Sequence, residues 1–372
     1  MSSPAIVHLT SVHPRYDTRI FMKETRSLAR AGYAVSLVVA DGKGDEVKDG
    51  VSIVDAGATT GGRLSRMRDT ARRIFDKAIE LDADLYHIHD PELLPTGLKL
   101  KKRGKTVIFD SHEDFPADIL TKPYLGRFAR IAISRLFGWY ERWSTPKLAH
   151  IVTATPAIRR KFEGIGCKAT DVNNFPLREE LTDYLPWERE RKLVCYVGAM
   201  TTIRGVPEVV DAMAGVASDV RLALVGEFTE AQTRSRCLES PGWTRVDDKG
   251  LVSRREVRRI MADCAAGIVT FLPAPNHVDA QPNKMFEYMS AGIPVIGSDF
   301  PLWREIIEGN DCGICVDPTD PAAIAKAIDR LYGNQDEARA MGERGRAAVQ
   351  ARYNWDGEVP KLLALYERLL KG

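Results

Sequence analysis

Strand-like apolar runs alternate with helix-length segments along almost the whole chain, and this rhythm constrains the fold more than any other feature. The first series is AIVHL, AVSLVVA, VSIV, DLYHI, TVIFD and AHIVTA; the second is LVCYVG, VRLALVG, WTRV, AGIVTF, IPVIGS and GICV. Strand, helix and strand at this spacing imply parallel sheets with helices on both faces. Two such series in 372 residues predict an α/β protein of two doubly wound parallel-sheet domains, facing each other across a cleft. The break falls in NNFPLREELTDYLPWERERK, Asn173 to Lys192, which is rich in proline and charge and poor in periodicity. We therefore expect one Rossmann-like domain over residues 1–185 and a second over 186–355, with the helix of 356–372 packing back onto the first.

Composition narrows the function classes. Fifty-three basic residues nearly balance 51 acidic ones, a net charge of +2, so no global field favours nucleic acid. No apolar run approaches the ~18–20 residues of a membrane span. Met1 to Leu9 lacks a basic start followed by a long apolar region, so a cytoplasmic protein is expected. Of the six cysteines, Cys312 and Cys315 form CxxC, but no second pair or histidine cluster completes a zinc site, and all six read as structural thiols.

In open parallel sheets ligands sit beyond the carboxyl ends of the strands, which sorts the polar residues. Asp82 and Asp84 precede their strand and lie at the wrong end for a metal-binding DxD. His89 and Asp90, then His112 and Glu113, follow theirs, as do Gly198, Gly226, Glu227 and the stretch leading to Asn283. That last stretch, PNKMFEYMSAGIPVIGS, reads as a helix with Pro282 at its first position and Gly292 as its left-handed stop. Met285, Phe286 and Met289 have the spacing of a buried face. Lys284 and Glu287 stand out in so apolar a helix, either as an exposed ion pair or as ligand-binding groups.

Taken in order, HPRYDTRIFMKE, HIHDPELLP, FDSHEDFP, NNFP, YVGAMTTIRG, LVGE, PNKMFEYMSAGIPVIGS and WDGEVPKLLALYERLL make the chain resemble the retaining glycosyltransferases of family 4, which have the GT-B fold. The resemblance implies a nucleotide-diphosphate sugar, UDP- or GDP-linked, as donor and no metal or other cofactor. It places Glu287 on the two ribose hydroxyls, where a carboxylate accepts from adjacent donors. The helix start at Asn283, with Lys284, suits the diphosphate. Arg204 fills one of two expected phosphate-binding cations, while Ala199 or Met200 stands where the other is expected. Asp279, eight residues before Glu287, takes the place of a longer glutamate that contacts the donor sugar. Gly198 and Gly226 would allow close approach of ligand, and the base would lie along Gly250 to Ser253, at Val252. In the first domain His112 corresponds to a histidine beside the donor sugar. His13, Asp17, Arg19, His89 and Asp90 are candidates for the acceptor side, with helix capping an equal alternative for Asp17. The reaction implied is transfer to a hydroxyl, the acceptor being a lipid-linked saccharide of bacterial surface polysaccharide synthesis. A nucleotide-sugar 2-epimerase and a non-catalytic binding subunit of a polysaccharide assembly complex are the alternatives.

Two segments bear on location. GRLSRMRDTARRIFDK concentrates Arg63, Arg66, Arg68, Arg72, Arg73 and Lys77. Farther on, Leu125, Phe128, Ala129, Ala132, Ile133, Leu136, Trp139, Tyr140 and Trp143 share one helical face, which reads as core, with Arg127, Arg130 and Arg142 solvated opposite it and Arg135 at its margin. Such basic clusters predict peripheral attachment to the anionic inner face of the membrane.

Overall fold

The computed structural model describes residues 3–58, 63–121, 125–177, 179 and 186–371, with the side chains of 63–66 excepted. The chain divides into two compact units, Met1–Asn174 with Trp355–Gly372, and Phe175–Asn354.

In the first unit the strands are β1 (Ala5–Leu9), β2 (Ala34–Val39), β3 (Glu46–Lys48), β4 (Val51–Asp55), β5 (Leu85–Ile88), β6 (Thr106–Ser111), β7 (His150–Thr153) and β8 (Ala169–Asp171). They form one sheet in the order β3-β4-β2-β1-β5-β6-β7-β8. Every pairing is parallel except β3 with β4. That antiparallel edge departs from the all-parallel expectation. Its turn, Asp49–Gly50, has φ of 50° and 79°, the left-handed pair that closes a tight hairpin. With one apolar residue in three, EVK carries no strand signal.

The second unit contains β9 (Leu193–Val197), β10 (Arg221–Val225), β11 (Val246–Gly250), β12 (Cys264–Val269), β13 (Val295–Ser298) and β14 (Gly313–Val316), ordered β11-β10-β9-β12-β13-β14 and parallel throughout. WTRV is mostly not strand: Pro241–Arg245 is a 3-10 turn, and β11 begins at Val246. All six cysteines are free, and burial pushes the thiols of Cys312 and Cys315 up to about 12.

The unit break lies at Asn174/Phe175, earlier than the expected 185/186. Phe175 already belongs to the second core, its ring 5.0 Å from Phe286 and 5.4 Å from Tyr353. The terminal helix Trp355–Leu370 is tied to the first unit. Trp355 Nε1 donates to Ser27 Oγ (2.9 Å), and Glu358 accepts from the Asn173 amide (2.9 Å).

Both sheets reverse direction beside one strand: β1 lies between β2 and β5, and β9 between β10 and β12. Connections leave such a strand on opposite sides and open a crevice at its carboxyl end. The loops after β1, β5 and β6, and those after β9 and β12, carry most of the polar residues singled out above.

The helix Arg127–Ser144 contradicts its expected orientation. Glu141 and Ser144 are buried, Ser134 Oγ donates to the Pro116 carbonyl (2.7 Å), and Glu141 pairs with Lys161 (2.6 Å). Phe128, Leu136, Trp139 and Trp143 face solvent. The polar face is inward because it finds partners there.

Candidate active-site residues

In the second unit the chain leaves β9 at Gly198 and makes a short turn, Thr202–Arg204, ended by Gly205 at φ 70°. A Cβ on Gly205 would lie 1.9 Å from the Thr270 carbonyl oxygen, so only glycine lets this loop rest on the end of β12. Glu230 fixes the turn by accepting from the Thr202 amide (3.0 Å) and hydroxyl (3.1 Å). Arg204 is thereby half-buried, with Nη1 donating to the Ala199 carbonyl (3.3 Å) and its guanidinium carbon 5.7 Å from the Phe271 ring centre.

The helix Asn283–Ala291 begins in the loop after β12. Pro282 is its cap residue rather than its first helical one, and among the described residues no side-chain cap bonds the start of the helix. Gly292, at φ 72°, ends it. Lys284 is buried, its Nζ 3.9 Å from the Tyr196 ring centre and 5.5 Å from that of Phe271. It also lies 3.1 Å from where a Cβ on Gly198 would be. Nζ makes no hydrogen bond among the described residues. Burial, then the charge of Arg204, lowers its pKa from 10.5 to about 7, against the opposing pull of Glu287. Two cations thus converge beside one aromatic ring with no carboxylate hydrogen-bonded to Lys284. An anion would relieve both.

The other candidates around this loop differ in kind. Glu287 is exposed on the same helix, as is Asn283, and Asp279 is exposed in the preceding turn. Val252 is half-buried just beyond β11. Gly226 has a packing reason: a Cβ there would fall 2.1 Å from the Gly198 carbonyl oxygen, so the strand ends meet backbone to backbone. Tyr196, Phe271 and Tyr288 gave no functional signal in the sequence, being apolar residues in or beside apolar strands and a helix. Tyr288 OH accepts from the Val197 amide (2.9 Å) and so ties the lysine helix to the end of β9.

The first unit gathers most of its histidines. Asp110, buried in β6, accepts from Nε and Nη2 of Arg19 (both 2.9 Å) and from His112 Nε2 (2.9 Å). Burial favours the neutral acid, but Arg19 and then His112 outweigh it and hold the Asp110 carboxyl well below its usual range. Glu24, equally buried, lies 3.2 Å from Arg19 Nε; burial and the neighbouring Asp110 charge push its carboxyl well above the usual range. His8, opposite His87 in the β1–β5 register, shares a proton with His89 (Nδ1 to Nε2, 2.8 Å). Tyr366 OH, from the terminal helix, bridges His87 Nδ1 (2.6 Å) and His8 Nε2 (3.0 Å). Burial lowers the His89 pKa to about 4.

Donor atoms of His8, Glu24, His87 and His89 lie within 4.8 Å of one another, as do those of His89, Asp110 and His112. Such ligands suit zinc, but hydrogen bonds already engage the inward-facing nitrogens of His8, His87 and His89.

These contacts revise the acceptor-side candidates. Arg19, His89 and Asp90 are buried, and each is spent on its neighbours. Asp90 accepts from the Ser11 amide (2.6 Å) and Thr10 hydroxyl (2.9 Å) and pairs with His13 Nδ1 (3.0 Å), which together overcome burial and bring it to about 2. Asp17 caps: its carboxylate accepts from the amides of Arg19 (2.8 Å) and Ile20 (2.9 Å). His112 and His13 retain partial exposure, their rings 5.1 Å apart. His112 gives its Nε2–H to Asp110, which leaves Nδ1 as the acceptor. Glu24, His8, His87 and Tyr366 escaped the sequence reading because only the fold brings together positions up to 358 residues apart.

Residues 19–174 match the family described as Glycosyltransferase Family 4, and residues 178–348 match Glycosyl transferases group 1, so each unit carries one match. A phosphatidyl-myo-inositol mannosyltransferase of Mycobacterium leprae is 24% identical over 300 residues, covering 78% of this chain and 74% of that protein. Among solved structures, the sucrose-phosphate synthase of Thermosynechococcus elongatus superposes with a TM-score of 0.79 at 18% identity, covering 99% of both chains. Anabaena HepE in complex with UDP does so at 0.73 and 12% identity, covering 98% of this chain and 100% of that one.

Proposed function

The chain belongs to the family 4 glycosyltransferases, with the GT-B fold, and from that premise we propose that it moves a sugar from a nucleotide diphosphate to a hydroxyl, with retention at the anomeric carbon. One observation carries the assignment of the donor site: the buried ammonium of Lys284 beside Arg204, with no hydrogen bond among the described residues, at a helix start without a side-chain cap. A diphosphate supplies the missing negative charge, and more of it develops there as the sugar leaves. Lys284, Arg204 and the first-turn amides near Asn283 therefore act as leaving-group stabilisers, an electrostatic role that needs no covalent intermediate. Glu287 takes the ribose hydroxyls, Asp279 the donor sugar, and the Gly250–Ser253 segment with Val252 the base. In the first unit His112 is assigned to the reaction centre and His13 to the acceptor side. Buried Asp110 fixes the tautomer of His112, and buried Asp90 that of His13.

The donor is a UDP- or GDP-sugar; UDP in the Anabaena complex supports the nucleotide class. A lipid-linked saccharide is the proposed acceptor, supported by the mycobacterial relative, whose name specifies transfer to a phosphatidyl lipid. We place the enzyme peripherally on the inner membrane face, in surface polysaccharide synthesis. No described helix is long and apolar enough to cross a membrane. The 63–77 segment contributes less than its composition promised. Arg73 is spent on the carbonyls of Ala56 and Ala58, and Lys77 on Glu80; Arg68 and Arg72 remain exposed, and the side chains of Arg63 and Arg66 lie outside the described residues.

Incubation with UDP- and GDP-sugars, with and without lipid-linked acceptor, tests the reaction, and NMR of the product's anomeric proton tests retention. An inverted product, or donor isomerised without acceptor, would overturn it. Glu287→Ala is expected to weaken donor binding by about 1.5–3 kcal/mol, as for a hydrogen bond to a charged group, with folding intact. Unchanged affinity in calorimetry removes Glu287 from the ribose. His112→Ala is expected to abolish transfer while nucleotide affinity stays the same; parallel loss of both would make the residue structural.

A further inference from the structure

The helix Arg127–Ser144 is built inside out. Its inward side carries Ser134, Gly138, Glu141 and Ser144, with Gly138 against Pro116 and Phe137 against Phe115 (ring centres 4.6 Å apart). Its outward side carries Phe128, Leu136, Trp139 and Trp143, which are 87%, 68%, 63% and 50% exposed, together with Ile133. Those five are among only twelve exposed large hydrophobics in all the described residues, so the patch is not scattered surface apolarity. The single acidic residue between 127 and 147 is Glu141, and it is buried on Lys161. The helix therefore turns apolar groups outward with Arg135 exposed at their margin, while Arg127 and Arg142, expected on the other side, are exposed as well, and no exposed acidic residue of the helix accompanies them. At the end of the patch Lys147 stands over the Trp143 ring, its Nζ 2.9 Å from the ring centre.

We propose that this face inserts into the headgroup region of an anionic bilayer, with the helix axis along the membrane plane. The proposal rests on the reading that the acceptor is lipid-linked, and it identifies the surface that meets the lipid. Aromatic rings and long aliphatic groups are favoured at the acyl boundary, while arginines reach the phosphates beside them. Charge decides against a second copy of this chain as the occupant. A two-fold interface built on this helix would set its own arginines against one another, with no exposed acidic residue of the helix to answer them. An anionic leaflet answers all of them.

The experiment uses the whole chain and vesicles of phosphatidylglycerol and phosphatidylcholine, some with bromine on the acyl chains. The protein should float with the anionic vesicles, and bromine at shallow depth should quench its tryptophan emission. Phe128→Ser combined with Leu136→Ser and Trp139→Ser should lower partitioning at least tenfold. Arg135→Glu with Arg142→Glu, a surface change that leaves the apolar residues in place, should do the same at low salt. Nucleotide-sugar affinity should be unchanged in every variant, which separates this proposal from the donor-site reading. Sugar transfer failing while insertion persists overturns the reaction and leaves the membrane face standing. Flotation that neither variant alters overturns the proposal. So does a concentration-dependent dimer that the triple variant dissolves, since the face would then be a protein interface.

Discussion

Lys284→Ala is expected to lower turnover about a hundredfold or more, the range for removing one preorganised group from a developing negative charge. The ammonium makes no hydrogen bond among the described residues, and the charge of Arg204 disfavours it more than that of Glu287 favours it. Its removal therefore leaves no described hydrogen-bond partner stranded, and the folded protein should be no less stable by urea denaturation. Arg204→Ala should act in the same direction, and the double variant should lose less than the product of the two single losses if both cations serve one diphosphate. Full turnover in Lys284→Ala would move the phosphate site elsewhere.

The depressed pKa of Lys284 gives this prediction a pH dependence. Between about 7 and 10.5 the unfolded chain holds a proton at this position that the folded chain has released. Wild-type stability therefore gains a contribution as pH rises through that window, and Lys284→Ala should lack it. A bound diphosphate favours the protonated amine. At pH 8 nucleotide binding should take up protons, seen in calorimetry as a heat that changes with the buffer's ionisation enthalpy. No uptake by the wild type, or equal uptake by Lys284→Ala, would rule out this titration.

Asp110→Ala is expected to cost about 3–5 kcal/mol of stability, the scale for breaking a buried ion pair by removing one partner. Arg19 is fully enclosed and directs two guanidinium nitrogens at Asp110 and a third at the Val172 carbonyl. Without Asp110 its charge would stay buried beside Glu24, whose carboxyl would then have to ionise. His112 would also lose the acceptor that sets its tautomer. Urea denaturation should show the loss directly. A cost below about 1 kcal/mol, the value of an exposed pair, would mean that Arg19 and Asp110 are not held as tightly as their burial implies. Asp110→Asn, which keeps the shape, should retain more stability yet still lose transfer, because an amide does not compensate Arg19 and His112 as a carboxylate does.

Much of the fold was legible because its signals are local. IPVIGS and VRLALVG are apolar runs bounded by glycine, and the short loops between runs and helices leave little choice of topology. The β3 edge was not legible, since EVK pairs through a turn rather than through apolar side chains. The site divided along the same line. Lys284 stood out because a charge in a helix of buried spacing is anomalous in one dimension. Its aromatic cage did not, because Tyr196 and Phe271 lie in segments that look like ordinary core. His89 and Asp90, directly after β5, and Arg19, in the loop after β1, are ligand candidates by position alone. Their burial against Asp110, His8 and Ser11 is a property of the packed strands alone.

The sequence by itself determined the two-domain α/β class, nearly every strand, and the helix that carries Lys284, because backbone periodicity and glycine stops act within a few residues. The tertiary structure alone decided which charges are spent and which remain. It assigned Asp17 to a cap, Asp90 to the loop after β1 and Arg19 to Asp110, and it left Lys284 without a hydrogen-bond partner among the described residues. It also turned the apolar face of Arg127–Ser144 outward, against the reading from periodicity. A helical wheel shows that two faces differ, but not which one the rest of the chain has partners for. Here Lys161, Pro116 and Phe115 supplied them to the polar side.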